Sequence, residues 1–288
     1  MIYLLAIGSA FFYGAADFTG GLTTRRAGTI PVVVLSQFSG LALLVLLLPI
    51  LPPAAASRSD FIWGAIAGLG GGVGVALLYR ALSIGVMAVV APTTAVCAVT
   101  IPVVYSVLRG ERPAPLAITG ILLGITSIIL VSQQRSAGEP GRGERTGLGK
   151  LPLGVGTALI SGVAIGFFFL GLAQTSPAAG MWPLVASRST SVTLFACIAL
   201  ARRSSFRMPG GVLALVLLAG TIDMLANALY LVAAQQGPLS IVVTLSSLYP
   251  ASTVLLARVV LHERLNLLQV TGVGCALAAV VLIVSGGT

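Results

Sequence analysis

The stretch LLYRALSIG, residues 77–85, opens a segment that returns later in the chain in a second version. The first segment covers residues 78–132 and breaks at LRGERP, whereas the second covers residues 229–285 and breaks at LHERL. The pattern indicates that one unit has been duplicated along the chain. Matching residues stand 151 or 152 positions apart: Tyr79 and Tyr230, Glu111 and Glu263, Arg112 and Arg264, Gly120 and Gly272, Ser9 and Ser161, Gly14 and Gly166.

The composition excludes a soluble globular protein. Of the 288 residues, 57% are hydrophobic and only 8% are charged, whereas soluble domains carry roughly 25% charged residues. The net charge of +9 comes from basic residues between the apolar runs, where contact with lipid headgroups explains them without nucleic acid. We therefore expect an integral membrane protein that is surrounded by the lipid bilayer and binds no nucleic acid.

Metal, cofactor and catalytic chemistry have little support in the sequence. The three cysteines, Cys97, Cys197 and Cys275, are far apart and lie inside apolar runs, as small buried side chains do. The only histidine, His262, has no second metal ligand near it. No HExxH motif or motif of paired carboxylates is present. We therefore expect no metal, no cofactor, no catalytic residues and no enzyme activity.

Polar breaks divide the chain into ten apolar segments of about 20 residues, the length at which a helix crosses a bilayer. The runs are continuously apolar, which predicts helices and not the alternating strands of a barrel. The predicted fold is all-α, with a first repeat at 1–134, a linker at 135–150 and a second repeat at 151–288. The ten expected spans are 2–21, 31–51, 61–83, 87–108, 114–133, 151–173, 180–201, 210–233, 239–261 and 266–285.

Five spans in each repeat place the second repeat upside down relative to the first. Inverted repeats form a substrate site near the midplane, between two halves that rock against each other. This symmetry predicts a transporter in preference to a scaffold or sensor. The sequence contains no nucleotide-binding domain and no phosphate loop, so ATP is not expected to be its energy source. One chain is sufficient in principle, and a homodimer is the alternative.

Several motifs resemble those of a known transporter family. They are GAADF at 14–18, YRALSIGVMAVVAP at 79–92, GERPAPLAITGILLG at 110–124, LSSLYPASTVLLA at 245–257 and HERLNLLQVTGVG at 262–274. Together they resemble the EamA-type members of the drug/metabolite transporter superfamily. The resemblance implies a ten-span carrier of the bacterial inner membrane that exports amino acids, other small metabolites or drugs by alternating access. Sugars, lipid-linked or nucleotide-linked compounds, and uptake in place of export, are the alternatives.

Only three charged residues, Asp17, Arg188 and Asp223, lie more than three residues from the ends of the expected spans, and intramembrane charges are functional candidates by default. Asp223 shares one helix face with Asn227 and Tyr230. This face predicts either a site for a proton or an amine, or a structural ion pair with Arg188 in the seventh span. Arg188 lies in a patch rich in Ser and Thr that could hold a carboxylate of the substrate or that of Asp223. Asp17 lies one turn after Tyr13. We expect it either to pair with the nearby Arg25 or Arg26, or to line, with Tyr13, the pathway that the substrate or proton takes through the bundle.

Spans four and nine contain prolines beside hydroxyl groups, a combination that is tolerated at membrane depth when it lines a cavity or is buried. We expect these spans either to face the pathway or to kink for packing. The Glu-Arg pairs after the two spans, Glu111–Arg112 and Glu263–Arg264, are expected to cap helices or to act in gating. The remaining expected pathway residues are Tyr79, Pro92, Thr93, Thr94, Ser246, Ser247, Tyr249 and Pro250.

The distribution of basic residues predicts the orientation of the protein. The loops after the odd-numbered spans, together with the span ends that lead into them, hold twelve Lys and Arg, and those after the even-numbered spans hold three. Because basic loops stay in the cytoplasm, both termini should lie outside it. An alkaline phosphatase fused to the C-terminus should therefore be active, whereas an inactive fusion together with an active cytoplasmic reporter would contradict this orientation.

Overall fold

The chain folds into a bundle of α-helices, and the described residues include no strand. The computed structural model describes residues 2–108, 110, 114–132, 152–236, 245–246 and 248–286. The first half forms α1 (Ile2–Ala27), α2 (Thr29–Leu47), α3 (Arg58–Ile84), α4 (Met87–Leu108) and α5 (Pro115–Ser132). The second half forms α6 (Val155–Ala173), α7 (Trp182–Ala201), α8 (Gly210–Gln236), α9 (Tyr249–Val260) and α10 (Leu267–Gly286).

The helices have the length and composition of membrane spans. Seven of them, α1, α2, α3, α6, α7, α8 and α10, are long and apolar enough to cross a bilayer, and α4, α5 and α9 contain shorter apolar stretches. Large apolar side chains such as Leu4, Leu46 and Ile160 are exposed on the outside of the bundle, where acyl chains can cover them. The all-α membrane fold is thus confirmed, and the number of ten crossings stays a prediction.

The two halves interlock. Helix α1 packs on α8 and α9 of the second half, and its counterpart α6 packs on α3 and α4 of the first half. The helices α2 and α7, which are counterparts of each other, are in direct contact, as are α5 and α10. Each contact between a helix of the first half and one of the second half thus has a matching contact between their counterparts, as an approximate twofold axis would require.

Hydrogen bonds between the halves repeat with the spacing of the duplication. The Ser9 hydroxyl donates to the Ala226 carbonyl (2.9 Å), and 152 positions away the Ser161 hydroxyl donates to the Gly74 carbonyl (2.7 Å). A second pair links Thr94 to the Ala158 carbonyl (3.3 Å) and Ser246 to the Ala6 carbonyl (3.4 Å). In hydrocarbon a hydroxyl must find a partner inside the protein, so these bonds fix the same helix contacts in both halves.

Glycines allow α3 and α7 to approach closely. A Cβ added at Gly64 would lie 2.5 Å from the Pro183 carbonyl oxygen, and one added at Gly72 would lie 2.7 Å from the Ser191 Cβ. A Cβ added at Gly68, between them, would collide with the Ser187 carbonyl oxygen. Small residues at a helix interface drive such packing in membranes. The contacts recur every four residues on both helices: Gly64 on Pro183, Gly68 on Ser187 and Gly72 on Ser191.

The loops before α3 and after α6 are joined through one carboxylate. Asp60 forms a capping box with Ser57, in which each side chain bonds the backbone amide of the other residue. The second carboxylate oxygen of Asp60 accepts a hydrogen bond from the Ser176 amide at 2.7 Å, and the Ala55 amide donates to the Ala178 carbonyl at 2.9 Å. This end of the bundle is therefore held together across the two halves.

Two expected spans are compared with the structure at their ends and breaks. Helix α1 continues to Ala27 instead of ending near residue 21, because the hydroxyls of Thr23 and Thr24 bond carbonyls one turn earlier and remain satisfied within the helix. Span nine is interrupted beside Pro250: residues 245–246 are helical, Leu248 forms a turn, and α9 begins at Tyr249 with Pro250 in its first turn, where a missing N–H removes no bond of that helix. The linker 135–150, Glu111, Arg112, Ser247 and the start of span nine, 239–244, lie outside the described residues.

Replacing Gly68 by Ala should lower the melting temperature of the detergent-solubilised protein. The new Cβ would collide with the Ser187 carbonyl oxygen, and such overpacking costs about 1–3 kcal/mol. The matched control is Gly274→Ala in α10, where no atom lies within 4 Å of the added Cβ. Equal melting temperatures for the two variants would contradict the close contact of α3 with α7.

Candidate functional site

One cation is held between two acceptors in the interior of the bundle. The guanidinium of Arg188 on α7 donates to the carboxylate of Asp223 on α8 and to the side-chain carbonyl of Gln37 on α2. The Arg188 and Asp223 side chains are 13% and 19% exposed, and Gln37 is buried. Because charge-assisted bonds are strong where water is scarce, this cluster connects α2 of the first half with α7 and α8 of the second.

Close helix contacts bring these three side chains together. A Cβ at Gly220 would collide with the Ser36 carbonyl oxygen, and the Ser39 hydroxyl donates to the Leu217 carbonyl at 2.9 Å. Ser36 immediately precedes Gln37, and Gly220 lies one turn before Asp223. The small residues thus let α2 approach α8 at the level of the cluster.

Tyr13 and Tyr79 lie near the cluster, and Tyr249 packs against Tyr13. The rings of Tyr13 on α1 and Tyr249 on α9 meet edge to face, with their centroids 6.2 Å apart. The ring of Tyr79 on α3 fills the space beside Gly20, where a Cβ would overlap it. Tyr13 lies within electrostatic range of Asp223, Arg188 and Tyr230. The structure therefore brings the aromatic and ionisable residues expected from the sequence into one region.

Asp17 does not form the ion pair expected from the sequence. Among the residues that the structure describes, its carboxylate has no hydrogen bond and no ion pair, and it lies close enough to Asp223 to be repelled by it. Arg25 extends instead to the carbonyls of Leu82 (3.1 Å) and Gly85 (3.4 Å) at the end of α3. The expected pairing is wrong because the backbone at the end of α3 satisfies Arg25.

The expected polar face of α8 has a divided role. Asn227 donates to the backbone carbonyl of Asp223 at 2.8 Å and is buried. This bond stiffens the turn that carries the carboxylate and leaves the Asn227 side-chain oxygen as the acceptor. Tyr230, at the next turn, packs with Ala6 and Ala233 in an apolar cluster.

The hydroxyls near the prolines hold helices together. Pro92 lies inside α4, and the buried Thr93 hydroxyl returns to the Val89 carbonyl at 2.8 Å. Thr94 and Ser246 are also buried and bond carbonyls of the opposite half, as described above. In this conformation these hydroxyls are engaged with backbone and do not present free donors to a cavity.

Glu263 caps a helix of the other half. Its carboxylate accepts hydrogen bonds from the amides of Met87 (3.0 Å) and Ala88 (3.1 Å) at the start of α4, and Arg25 approaches it to 4.0 Å. The next helix, α10, is capped by its own Asn266 and Gln269 pair. The sequence predicted that Glu263 could cap a helix, but it did not predict that this helix would be α4 of the other half. Its neighbour Arg264 is exposed.

Gln37 is the functional candidate that the sequence interpretation missed. An uncharged amide in an apolar run gives a weaker signal than a charge. The duplication could have found it, because Gln37 stands 151 positions before Arg188, the spacing that also relates Tyr79 to Tyr230. In the described part of the chain no group of three or more His, Cys, Asp or Glu side chains could hold a metal.

Comparison with known proteins identifies the same duplication. The model of the EamA-like transporter family matches residues 1–133 and again residues 152–285. Among the solved structures, one crystal structure has 15% sequence identity and a TM-score of 0.60, covering 98% of this chain and 95% of its own. At this identity the likeness shows the fold alone. A search of curated proteins gave no match.

Replacing one member of the Arg188–Asp223 pair should destabilise the protein more than replacing both. Breaking a largely enclosed pair leaves an uncompensated charge, at a cost of about 3–5 kcal/mol. We expect Asp223→Asn and Arg188→Gln each to lower the melting temperature in detergent, and the double variant to recover much of the loss. A double variant as unstable as the sum of the single ones would contradict direct coupling of the two groups.

Proposed function

The chain belongs to the EamA-like transporter family, and we propose that it is a secondary carrier that exports amino acids, related metabolites or drugs. Membership of this family makes the protein a multi-pass membrane transporter of small molecules and not an enzyme. Its ten helices are proposed to be ten spans, with inverted repeats at 1–134 and 151–288 joined by the linker. The proposed location is a bacterial inner membrane with both termini outside the cytoplasm, in accord with the arginine distribution.

The observation that carries the proposal is the charged cluster between the halves. Gln37 belongs to the first half, whereas Arg188 and Asp223 belong to the second. The bond from Arg188 to Gln37 crosses the interface on which the halves would rock, and the Arg188–Asp223 pair holds Arg188 on the second-half side of it. Any rearrangement there must therefore stretch or exchange the bond to Gln37. Charged residues inside the membrane and beside such an interface are functional candidates by default.

Asp223 is the proposed coupling group for protons. A proton on its carboxylate would remove the negative charge that attracts Arg188 and leave Gln37 as the neutral acceptor. Arg188 would then be held less firmly on the second-half side of the interface than when Asp223 is ionised. A pH gradient could thus bias which state of the cycle is populated, as alternating access requires.

Alternating access is supported by the repeated contacts. Ser9 with Ala226 and Ser161 with Gly74 form the same hydrogen bond in exchanged halves. Two conformations in which the halves exchange roles would therefore use the same bonds and similar packing. Neither conformation requires a new set of partners, which keeps the free-energy difference between them small.

The test is transport of a labelled panel of amino acids into proteoliposomes, with and without an imposed pH gradient. We expect gradient-driven accumulation by the wild type. Asp223→Asn should lose the accumulation and keep downhill exchange, because the substituted side chain cannot carry a proton. Glu139→Gln is the matched control, since Glu139 belongs to the polar linker 135–150 and lies outside the expected spans.

Two outcomes would change the proposal. Equal, purely downhill transport by wild type and Asp223→Asn would remove proton coupling through Asp223 and leave a structural ion pair. Transport of sugars or nucleotide-linked compounds and of no amino acid would replace the proposed substrates, with the family assignment unaffected.

A further inference from the structure

The turn between α3 and α4 is held by two charged side chains from other parts of the chain. The guanidinium of Arg25 on α1 donates to carbonyls at the C-terminal end of α3, the nearer of which is that of Leu82 at 3.1 Å. The carboxylate of Glu263, in the turn between α9 and α10, accepts hydrogen bonds from the first amides of α4, those of Met87 and Ala88. A cation therefore lies at the negative end of one helix dipole, and an anion lies at the positive end of the next.

The start of α4 depends on Glu263 for its cap. The residues immediately before this helix, Gly85 and Val86, carry no side-chain acceptor. Because the first amides of a helix have no partner within that helix, the bonds from Met87 (3.0 Å) and Ala88 (3.1 Å) to the carboxylate satisfy them. In the described part of the chain, α4 thus has this cap only while the α3–α4 turn stays against the α9–α10 turn.

These contacts join two groups of helices. Helix α1 packs on α8 and α9, whereas α6 packs on α3 and α4. Arg25 lies on α1 and Glu263 follows α9, so both charges come from the first group, and the turn that they hold belongs to the second. Arg25 also approaches Glu263 to 4.0 Å. The two charges therefore hold the same turn from the same side.

An apolar layer lies behind the turn, at the end of the bundle where α1, α3 and α9 end and α4 begins. The buried Met87 and Ala88 belong to this layer themselves, together with Phe18 of α1, Ala91 of α4 and Ala257 of α9. The layer thus contains side chains of both groups of helices. If the turn moves away from the α9–α10 turn, the layer separates and water can reach it from this end.

We propose that Glu263, assisted by Arg25, is a latch that holds the α3–α4 turn and keeps this end of the transport pathway closed. The inference rests on the proposed alternating access and assigns residues to the closure of one end. Release of the carboxylate from the amides of Met87 and Ala88 lets the turn move, and the water that enters then satisfies those amides. In the proposed orientation this end faces the cytoplasm, so the latch controls when an exported substrate can enter.

The experiment follows the accessibility of cysteines placed at the two ends of the bundle. Cys97, Cys197 and Cys275 are first replaced by Ala, and the full-length protein is reconstituted in lipid nanodiscs. One reporter is Ala91→Cys, in the layer behind the latch, and the other is Ala233→Cys, buried in the apolar cluster at the opposite end. The rate at which a polar maleimide labels each reporter shows how often that end opens, and it requires no substrate.

Removal of the Glu263 charge should open one end and close the other. We expect Glu263→Gln to raise the labelling rate of the Ala91→Cys reporter by at least about fivefold, because a neutral amide is a weaker acceptor for the two N–H groups. The labelling rate of the Ala233→Cys reporter should fall, since alternating access exposes one end at a time. Arg25→Gln should act in the same direction and less strongly, and Glu263→Asp, which keeps the charge, should retain more of the wild-type behaviour.

Matched controls remove a charge elsewhere. Glu139→Gln changes the linker, and Arg80→Gln changes an exposed position on α3 near the same end, so both should be labelled as the wild type is. The melting temperature of each variant shows whether it is folded, and Arg25→Gln provides the comparison if Glu263→Gln does not fold. Faster labelling of the Ala91→Cys reporter with no change at the opposite end would mean that Glu263 only caps α4, and it would overturn the latch.

The remaining outcomes distinguish the latch from the proposed function. Unchanged or slower labelling behind the latch in a folded Glu263→Gln protein would overturn the inference and leave the carrier intact. The expected shift at both reporters, in a protein that transports no compound, would support the latch and count against the proposed transport. Absence of labelling at both ends in every variant would overturn the latch directly, because neither end would then open.

Discussion

The positive charge of Arg188 inside the bundle is the constraint on which the rest of the arrangement depends. A guanidinium at this depth must be neutralised and hydrogen-bonded by the protein, because lipid offers it nothing. Asp223 and Gln37 meet this requirement from two other helices, and the three helices can approach only because small residues line their contacts. The glycines of α3 and α8 and the serines of α2 and α7 are thus conditions for the cluster.

The duplication supplies a symmetric frame, and the site departs from that symmetry. The hydrogen bonds of Ser9 and Ser161 repeat with a spacing of 152 residues, but at the same spacing Asp17 corresponds to Phe169 and Asp223 corresponds to Gly71. The residues that pack the two halves together therefore occur in both copies, whereas each of the carboxylates of Asp17 and Asp223 occurs in one copy only. A single charged cluster arises from two copies that share packing residues and differ in ionisable ones.

The fold could be predicted largely from the sequence, because hydrophobic length and duplication are properties of the chain itself. The proximity of Arg188 and Asp223 could also be anticipated, since opposite charges inside a membrane need each other. The partner of Arg25 could not be anticipated. It depends on the free carbonyls at the end of α3, and no side-chain pattern marks them. Glu263 is similar, because the amides that it caps belong to a helix far away in sequence.

Pro250 shows why the helix ends were harder to predict than the helices. In a sequence, a proline between apolar residues indicates an interruption, but it does not say on which side the helix lies. In the structure helical residues 245–246 precede the proline, Leu248 forms a turn, and Pro250 stands in the first turn of α9, which its fixed backbone angle suits. The position of such an end depends on the packing of neighbouring helices, which composition does not encode.

The glycine contacts between α3 and α7 have a consequence for movement. Both helices repeat their contact residues every four positions, so displacing one helix along the other by a single turn would bring Gly68 onto Pro183 and Gly72 onto Ser187. Most of the interface would then be rebuilt from equivalent small residues. A seam built in this way would offer a second register one helical turn away, in which small residues again meet.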